Sequence, residues 1–521
     1  MSGIFRGSGE ENAMAPTNNA HIFQLDRRFD GRTFKKVLAE AGYSQTALAE
    51  TVGITCAHER QDVDVVYRRV KTDSPYNILV RLFWLGQLVP EPVARKSLSG
   101  LDIEELEAIG LLNRQNGKIQ SVARLAPYHD LMLASDFGPE INRELSTDHV
   151  LGVGAASVTL ANLTVRRKVK TVLDLGCGAG IQSFLAARHA EHVIGTDISQ
   201  RALNFAEFNT KLNDIGGIEW RQGGLYEPVV GQQFDLIVSN PPFVISPESR
   251  FVFRDAGMPG DSISEQVMRG AGERLNEGGF ACILFNWHHC DDTDWDARPR
   301  SWVSRTGCDA WMICFKSADP LTYAADWLGS SGGQSSGEYG RRLDEWMAYY
   351  EKMQIGRISA GAIIMRKRAG SSNWFRAHVI DKGRCTGPAA DQIERIFAAE
   401  DMLETLDDRQ LLQQRLVFDN NHRLEHGLVV ENGRWVIRSE HLYAVEGIPF
   451  AGNVDMYIAN LLAGCDGKRT LGEVIGKAAE RMQANREEFT RACLAAVRKL
   501  MQAGFLSVVS NPCKSASQES K

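Results

Sequence analysis

The sequence predicts an α/β protein with a doubly wound, Rossmann-like sheet at its centre and a smaller domain on either side. Three short, mainly apolar runs support this prediction: Val172–Leu175, Val193–Asp197 and Phe234–Val238. Apolar runs of this length, bounded by turn residues, are typical of buried strands, and the segments after the first two have the apolar spacing of helices. Strands that alternate with helices indicate a parallel sheet covered by helices.

The first strand leads into a glycine-rich turn. Gly176, Gly178 and Gly180 follow Leu175, and a segment with helical spacing begins at Ile181. Glycine lets the backbone approach a ligand closely, so a strand, a glycine turn and a helix predict a ligand-binding corner. The last glycine of the dinucleotide pattern G-x-G-x-x-G is replaced by Ile181. The corner therefore favours a nucleoside ligand that has no pyrophosphate.

Asp197 ends the second strand, about twenty residues after the glycines, a spacing typical of an acid that binds ribose hydroxyls. The alternative is that Asp197 caps the helix that follows, but Ser199 can provide this cap. Asp197 is therefore predicted to bind ribose.

The third strand ends in the motif Asn240-Pro241-Pro242-Phe243. The two prolines fix the backbone and remove two N–H donors, so the amide oxygen of Asn240 and the carbonyl of Pro241 can face one point. Phe243 is expected to supply a flat ring beside that point. Two acceptors and a stacking surface suit a planar group that carries NH2, such as a carboxamide or the exocyclic amine of a base. The alternative is a turn stiffened by proline.

The segment LDLGCGAG, Asp197 and the motif SNPPF together resemble class I S-adenosylmethionine-dependent methyltransferases with an N-P-P-[FY] motif, and within them the HemK-like group. The resemblance covers roughly residues 150–316. It implies a seven-stranded sheet that ends in an antiparallel pair, and S-adenosyl-L-methionine as cofactor. It assigns Asp197 to the ribose and residues 240–243 to the methyl acceptor. It assigns to the methionine part Asp174, Gly176, Cys177, Gly178 and Gly180.

One loop departs from this family. The family often has an acidic residue after a glycine in the third loop, where it meets the adenine amine, but Gly224 stands at that position. Adenine would then be held by the backbone and by apolar contact with Ile198 and Leu225.

Composition and charge restrict the class of protein. The chain has 521 residues, a net charge of −6 and 43% hydrophobic residues, which is ordinary for a globular protein without a global attraction to nucleic acid. No apolar run is long enough to span a membrane, and the first twenty residues lack the apolar centre of a signal peptide. The ten cysteines have no pair spacing, so a reduced, cytoplasmic protein is expected.

The chain is predicted to have three folded parts: a mainly helical, winged-helix-like domain at 21–125, the catalytic domain at 126–380, and a small α+β winged-helix-like domain at 391–509. Polar tails are expected at 1–20 and 510–521. Asn116-Gly117 and Asn432-Gly433 predict a hairpin in each flanking domain. Winged-helix domains bind nucleic acid or protein, or only pack, so nucleic-acid contact by these domains stays an alternative.

Several segments around the predicted sheet are assigned by position. The small-residue loop at 152–157 is expected near the methyl group, and the loop at 250–261 is expected to form a wall of the substrate site. The histidines and aspartates at 288–296 lack a standard metal-ligand spacing, and no metal is predicted. The segment GSSGGQSSG at 329–337 is predicted to be a flexible loop, and the strand Ile358–Arg368 is predicted to be the last of the sheet.

Three functions are compatible with the sequence. The first is methyl transfer to the side-chain amide of a protein glutamine, favoured by the acidic net charge and by the HemK-like motifs. The second is methyl transfer to an exocyclic amine in RNA or DNA, favoured by the flanking domains. The third is a regulator that binds the cofactor but has lost the transfer chemistry. A macromolecular acceptor is expected in the first two cases. A small-molecule acceptor is a further alternative, and the oligomeric state is left open.

Overall fold

The computed structural model describes residues 23–24, 29–53, 62–142, 145–255, 257–330, 336–368, 373–380 and 386–509. The predicted tails at 1–20 and 510–521 lie outside the described residues, as does most of the predicted loop at 329–337. The chain forms two compact units. The first comprises residues 1–161 and 166–379, and the second comprises residues 162–165 and 380–521.

The N-terminal part of the first unit consists of short helices, a small sheet and a hairpin. Its elements are α1 (Gly31–Glu40), α2 (Gln45–Val52), α3 (Val63–Arg69), α4 (Pro75–Leu79) continued by a π-helical turn (Val80–Trp84), β1 (Val89–Pro90), α5 (Glu91–Ser97), α6 (Ile103–Ala108), β2 (Leu112–Gln115), β3 (Lys118–Ser121), β4 (Arg124–Tyr128) and β5 (Leu131–Ser135). The predicted hairpin is confirmed as β2–β3. Asn116 and Gly117 have φ of 50° and 72°, as a tight hairpin turn requires.

The central part of the first unit is the predicted α/β sheet with its helices. Its elements are α7 (Ala155–Leu163), β6 (Val169–Leu175), α8 (Ile181–Ala186), β7 (Ala190–Asp197), α9 (Gln200–Asn213), β8 (Ile218–Gln222), a 3-10 turn (Glu227–Val229), β9 (Phe234–Ser239), α10 (Ser262–Arg274), β10 (Leu275–His289), α11 (Ala297–Val303), β11 (Cys308–Ala318), α12 (Pro320–Ser330), α13 (Ser336–Lys352), β12 (Arg357–Lys367) and β13 (Phe375–Val379).

The sheet has the strand order β13-β11-β12-β10-β9-β6-β7-β8. Strands β6 to β10 are parallel, and β12 runs antiparallel between β10 and β11. The prediction of seven strands was wrong, because the sheet has an eighth strand, β13. It runs parallel to β11 and forms one edge of the sheet. The predicted last strand is β12, which lies inside the sheet rather than at its end.

The strand register brings the predicted site segments together. Leu175, the last residue of β6, is opposite Thr196 of β7 on one side and Ser239 of β9 on the other. Gly176, Asp197 and Asn240 are the residues directly after these three positions. They therefore lie side by side at the carboxyl edge of the sheet. The chain order reverses at β6, and ligands of open α/β sheets bind at the carboxyl ends of strands at such a point.

The helices at 31–53 share an apolar core with α9 of the central part. Phe34 of α1 and Phe205 and Phe208 of α9 belong to one buried cluster. The side-chain amide of Asn209, also on α9, donates to the carbonyl of Ala134 and accepts from its N–H at 3.0 and 2.7 Å. The predicted domains at 21–125 and 126–380 therefore form one packed body, and residue 125 marks no break between them.

The second unit contains a hairpin and a group of helices. Its elements are α14 (Ala390–Thr405), α15 (Asp408–Leu412), β14 (Arg415–Phe418), β15 (His422–Glu431), β16 (Arg434–Ala444), β17 (Ala451–Asn453), α16 (Met456–Gly464), β18 (Asp466–Thr470), α17 (Leu471–Met482), α18 (Arg486–Gln502) and β19 (Leu506–Val508). The predicted hairpin at Asn432-Gly433 is confirmed as β15–β16. Helices α14 and α15 are separate because Leu406 is extended and Asp407 starts a new helix with its own capping box.

Candidate active site

The carboxyl ends of β6, β7 and β9 open into a cavity of about 1000 Å³. Two further segments contribute to its wall. One is residues 148–157, which contain the predicted small-residue loop, and the other lies within residues 249–258, which follow the Asn240 motif. The predicted site residues that line the cavity are Asp174, Gly176, Cys177, Gly178, Asp197, Ile198, Gly224, Leu225, Asn240, Pro241 and Pro242.

The three glycines of the turn have different surroundings. Gly176 and Gly178 have φ of 73° and 54°, and a Cβ built on either would meet no described atom within 4 Å. Gly180, at φ 91°, would place a Cβ 2.9 Å from both Phe184 and Trp220. The first two glycines therefore leave space for a ligand, while Gly180 is required by packing and lies outside the cavity lining.

Asp174 and Asp197 place two carboxylates at this corner. Asp174 is 2% exposed, and one of its oxygens accepts from the N–H and hydroxyl of Ser183 at 2.9 and 2.7 Å. Burial raises the pKa of Asp174 to about 7. The oxygens of Asp197 accept one backbone N–H each, from Gly178 and Ser199 at 2.9 Å. Since a carboxylate oxygen has two acceptor positions, each oxygen of Asp197 can also accept a ligand hydroxyl.

The loop at 222–227 contains an acid that sequence reasoning missed. Glu227 lines the cavity, and its Oε2 lies 3.6 Å from where a Cβ of Gly224 would be. Its position three residues after Gly224 matches no motif, so only the fold of the loop could identify it. Ile198 also lines the cavity, and 62% of its surface is exposed and available for apolar contact.

The Asn240 motif presents one unpaired acceptor. Asn240 Oδ1 is buried and has no hydrogen-bond partner among the described residues. A buried acceptor without a partner costs about 1–3 kcal/mol, so its retention in a cavity wall points to a ligand that brings a donor. Phe243 is not part of the lining. It packs against an apolar cluster that includes Tyr323 and Trp346, and its expected position beside the acceptor point is not found.

The segment after the motif is fixed by contacts with the α12–α13 insertion. The backbone N–H of Ile245 donates to the Tyr323 hydroxyl at 3.1 Å, and the Tyr350 hydroxyl donates to the carbonyl of Ile245 at 2.8 Å. Glu248 accepts from Arg342 at 2.7 Å and from the Trp346 indole at 2.9 Å. The insertion therefore supports the wall of the cavity on the side of the Asn240 motif.

A family described as the methyltransferase small domain matches residues 152–290. A putative protein N5-glutamine methyltransferase from Methanocaldococcus jannaschii is 33% identical over 136 residues, which cover 25% of this chain and 68% of that protein. The chain belongs to the HemK-like class I S-adenosylmethionine-dependent methyltransferases. The family's matched range, residues 152–290, contains the glycine turn, Asp197 and the Asn240 motif.

Two further relatives match over smaller shares of their own lengths. A ribosomal protein uL3 glutamine methyltransferase from Bradyrhizobium diazoefficiens is 28% identical over 190 residues, covering 34% of this chain and 59% of that protein. A release factor glutamine methyltransferase from Aliivibrio fischeri is 39% identical over 90 residues, which cover 17% of this chain and 31% of that protein. The chain spans less than two thirds of the length of these two relatives. Families described only as domains of unknown function match residues 40–123 and 394–508.

The cavity of the methyltransferase fits S-adenosylmethionine. The open space beside Gly176 and Gly178 admits a ligand against the backbone, and Asp174 supplies a carboxylate near that space. Asp197 retains acceptor positions for the ribose. In the described part of the chain, no group of three or more His, Cys, Asp or Glu is placed to hold a metal ion, and no helix is both long and apolar enough to cross a membrane.

The pKa of Asp174 predicts a pH dependence of cofactor binding. If the ionised carboxylate of Asp174 holds the cationic methionine end, affinity for S-adenosylmethionine should fall about tenfold for each pH unit below 7. The α-amino group of the ligand stays protonated in this range. Calorimetric titration between pH 5 and pH 7 measures the effect. Asp174→Asn, which keeps an acceptor for Ser183, should flatten the profile, and an equally steep profile in this variant would contradict the role.

The raised pKa of Asp174 also makes the free energy of unfolding depend on pH when no cofactor is bound. This dependence runs opposite to that of cofactor binding. The folded-state pKa of Asp174, about 7, lies above the ordinary value of 3.8. The folded protein therefore binds more protons than the unfolded chain between these values. The contribution of Asp174 to the free energy of unfolding is fully present below pH 3.8 and is lost as the pH rises through 7.

The ion pairs of Glu248 predict a large stability effect. Glu248 pairs with Arg254 and Arg342, which are 3% and 11% exposed, at 2.7 Å. Glu248→Ala leaves both guanidinium groups without this partner, so the free energy of unfolding should fall by about 2–4 kcal/mol in urea denaturation. Asp326, which pairs with Lys316 on the surface, is the control. Asp326→Ala should cost less than about 1 kcal/mol, and equal losses would show that the Glu248 pairs carry no special stability.

Proposed function

We propose that this protein transfers a methyl group from S-adenosylmethionine to the side-chain amide nitrogen of a glutamine in a protein. The observation that carries the proposal is the unpaired, buried Oδ1 of Asn240 in the wall of the cofactor cavity. A carboxamide NH2 is a donor that this oxygen can accept. The relatives support the same acceptor, because all three are named as glutamine methyltransferases.

The chemistry needs little more than alignment. S-adenosylmethionine, when bound, supplies a methyl group on a positively charged sulfur. Asn240 Oδ1 accepts one N–H of the amide, which fixes the orientation of the nitrogen and increases its electron density. Pro241 and Pro242 remove backbone donors that would compete for that oxygen. Holding the nitrogen in line with the methyl group converts the reaction to an effectively unimolecular one. The methyl carbon would bond to the amide nitrogen as its bond to sulfur breaks, and the surplus amide proton would then leave to water.

The acid that the family often places after glycine in the third loop is, we propose, replaced by Glu227. Its carboxylate lies beside Gly224, where it can accept from the exocyclic amine of adenine. Ile198 and Leu225 would cover the ring by apolar contact. This arrangement supplies the polar contact that Gly224 alone lacks.

The flanking domains are proposed to be winged-helix-like modules that recognise the protein acceptor. The N-terminal sheet β1-β3-β2 follows several helices, and in the second unit α17 and α18 are followed by β19, which pairs with β14. Both arrangements support the interpretation. The net charge of −6 offers no general attraction to phosphate, which favours protein over nucleic acid. We also propose a cytoplasmic location, where ribosomal proteins and release factors are found.

The test is transfer of labelled methyl from S-adenosylmethionine into lysate of a strain that lacks this gene. The product is divided and treated with protease or nuclease, and the protein fraction is hydrolysed and analysed for methylated glutamine by mass spectrometry. Label lost to protease and recovered as methylglutamine supports the proposal. Label lost to nuclease would establish the base-amine alternative, and cofactor binding without transfer would indicate a regulator.

A further inference from the structure

His149 is a buried side chain in the cavity wall that belongs to no motif. Its side chain is 3% exposed, and the residue lines the cavity. Its ring meets that of Phe253 edge to face at a centroid distance of 5.7 Å. The N–H of Val252 donates to the carbonyl of Thr147 at 3.0 Å. His149 therefore stands where the 148–157 segment joins the loop that follows the Asn240 motif.

One ring nitrogen of His149 has no partner. Nε2 is buried and without a hydrogen bond from any residue that the structure describes. Nδ1 lies 3.7 Å from Oδ2 of Asp136. The Asp136 carboxylate is held in place by Arg201 at 2.5 Å and by the N–H of Val150 at 2.8 Å.

These contacts determine the state of the ring. The carboxylate beside Nδ1 favours a proton on Nδ1, which leaves the lone pair of Nε2 free to accept. Burial lowers the pKa of His149, so the ring is neutral at neutral pH. Among the described residues of the cavity lining, Asn240 Oδ1, His149 Nε2 and the hydroxyl oxygen of Thr196 are buried without partners. Asn240 Oδ1 and this state of His149 Nε2 can only accept, so both need donors from a ligand.

We propose that His149 Nε2 accepts a hydrogen bond from a main-chain N–H of the protein substrate, next to the target glutamine, and so positions the substrate. The inference rests on the proposed function. The contact with Phe253 supports the substrate rather than the cofactor, because Phe253 is on the loop after the acceptor motif, whereas the predicted cofactor contacts lie at the glycine turn and Asp197. A peptide has main-chain N–H groups beside the side-chain amide of the glutamine. Asn240 Oδ1 would therefore bind the side-chain amide, and His149 Nε2 would bind the main chain next to it.

Variants of the full-length protein separate this role from a structural one. His149→Phe keeps a flat ring and removes both nitrogens, whereas His149→Gln keeps an oxygen acceptor at the distance of Nε2. His189 is the matched control, since its Nε2 is also buried without a described partner, yet it does not line the cavity. Transfer of labelled methyl is measured with serial dilutions of protein from the lysate of the strain that lacks this gene, which gives an apparent KM and kcat. Calorimetry gives the Kd for S-adenosylmethionine.

The expected result for His149→Phe is an apparent KM raised roughly tenfold or more, with kcat changed less than about threefold and the Kd for the cofactor unchanged. An unchanged Kd also shows that the variant is folded. His149→Gln should recover most of the wild-type KM, and His189→Phe should match the wild type.

Three outcomes would overturn the proposal. A KM for His149→Phe equal to that of the wild type would mean that Nε2 does not contact the substrate. A weaker Kd for S-adenosylmethionine would assign His149 to the cofactor. A failure of His149→Gln equal to that of His149→Phe would mean that ring shape, not the acceptor, matters. If the wild-type protein labels no protein at all, the proposed function fails first and this role fails with it.

Discussion

Replacing Asn240 with alanine is expected to lower kcat for methyl transfer by about 10²–10³-fold while the Kd for S-adenosylmethionine stays within about twofold of the wild type. The magnitude is that of removing one preorganised polar group at a reacting centre. The buried Oδ1 of Asn240 has no described partner, so its loss should not lower the melting temperature, because an unsatisfied acceptor disappears with it. Single-turnover transfer, calorimetry and thermal unfolding measure the three quantities.

The control for this prediction is Asn240→Asp, which keeps an oxygen at the same position. It should retain more transfer than the alanine variant, since the acceptor remains although its charge differs. Equal losses of transfer and cofactor binding in Asn240→Ala would contradict the division of roles, because Asn240 would then hold the cofactor rather than the acceptor. A lower melting temperature would indicate a structural role for the Asn240 amide.

The core of the site could be predicted because its signals are local. The strands that end at Leu175, Asp197 and Ser239 are apolar runs followed by turn residues, and a parallel sheet brings their carboxyl ends to one edge. The structure shows these ends paired in register. Local sequence does not show which distant side chains pack against each turn residue. Gly180 looks like the other glycines, but the rings that exclude a side chain there include Trp220, forty positions along the chain.

Other features could not be predicted from the sequence, because they depend on distant contacts or on weak sequence patterns. The ring of Phe243 packs against the α12–α13 insertion, about eighty residues or more away, so a motif alone cannot give its direction. Strand β13 is short, with four half-buried residues and an exposed Val379. It lacks the alternation that marks a strand and is held at the sheet edge by pairing with β11. His149 and Glu227 lie in segments with no recurring pattern, and only the cavity reveals them.

Replacing Asp197 with alanine is expected to weaken binding of S-adenosylmethionine by about 10–100-fold while kcat at saturating cofactor falls much less. Hydrogen bonds to a charged group contribute about 1.5–3 kcal/mol each, and both oxygens of Asp197 are able to accept a ribose hydroxyl. The carboxylate also accepts the N–H of Gly178 at 2.9 Å, so its removal loosens the glycine turn against which the cofactor binds. Calorimetric titration and kcat at several cofactor concentrations measure the two effects.

Asp235 provides the matched control because it makes the same kind of contacts at the other end of the sheet. Its carboxylate accepts from the backbone N–H groups of Lys170 and Thr171 at 2.9 and 3.0 Å, at the start of β9. Asp235→Ala should therefore cost stability without changing the Kd for S-adenosylmethionine. If both variants weakened the cofactor equally, general loosening of the sheet would explain the loss. If only Asp197→Ala did so, the loss would belong to the cofactor end of the sheet, where the carboxylate holds the glycine turn and can accept ribose hydroxyls.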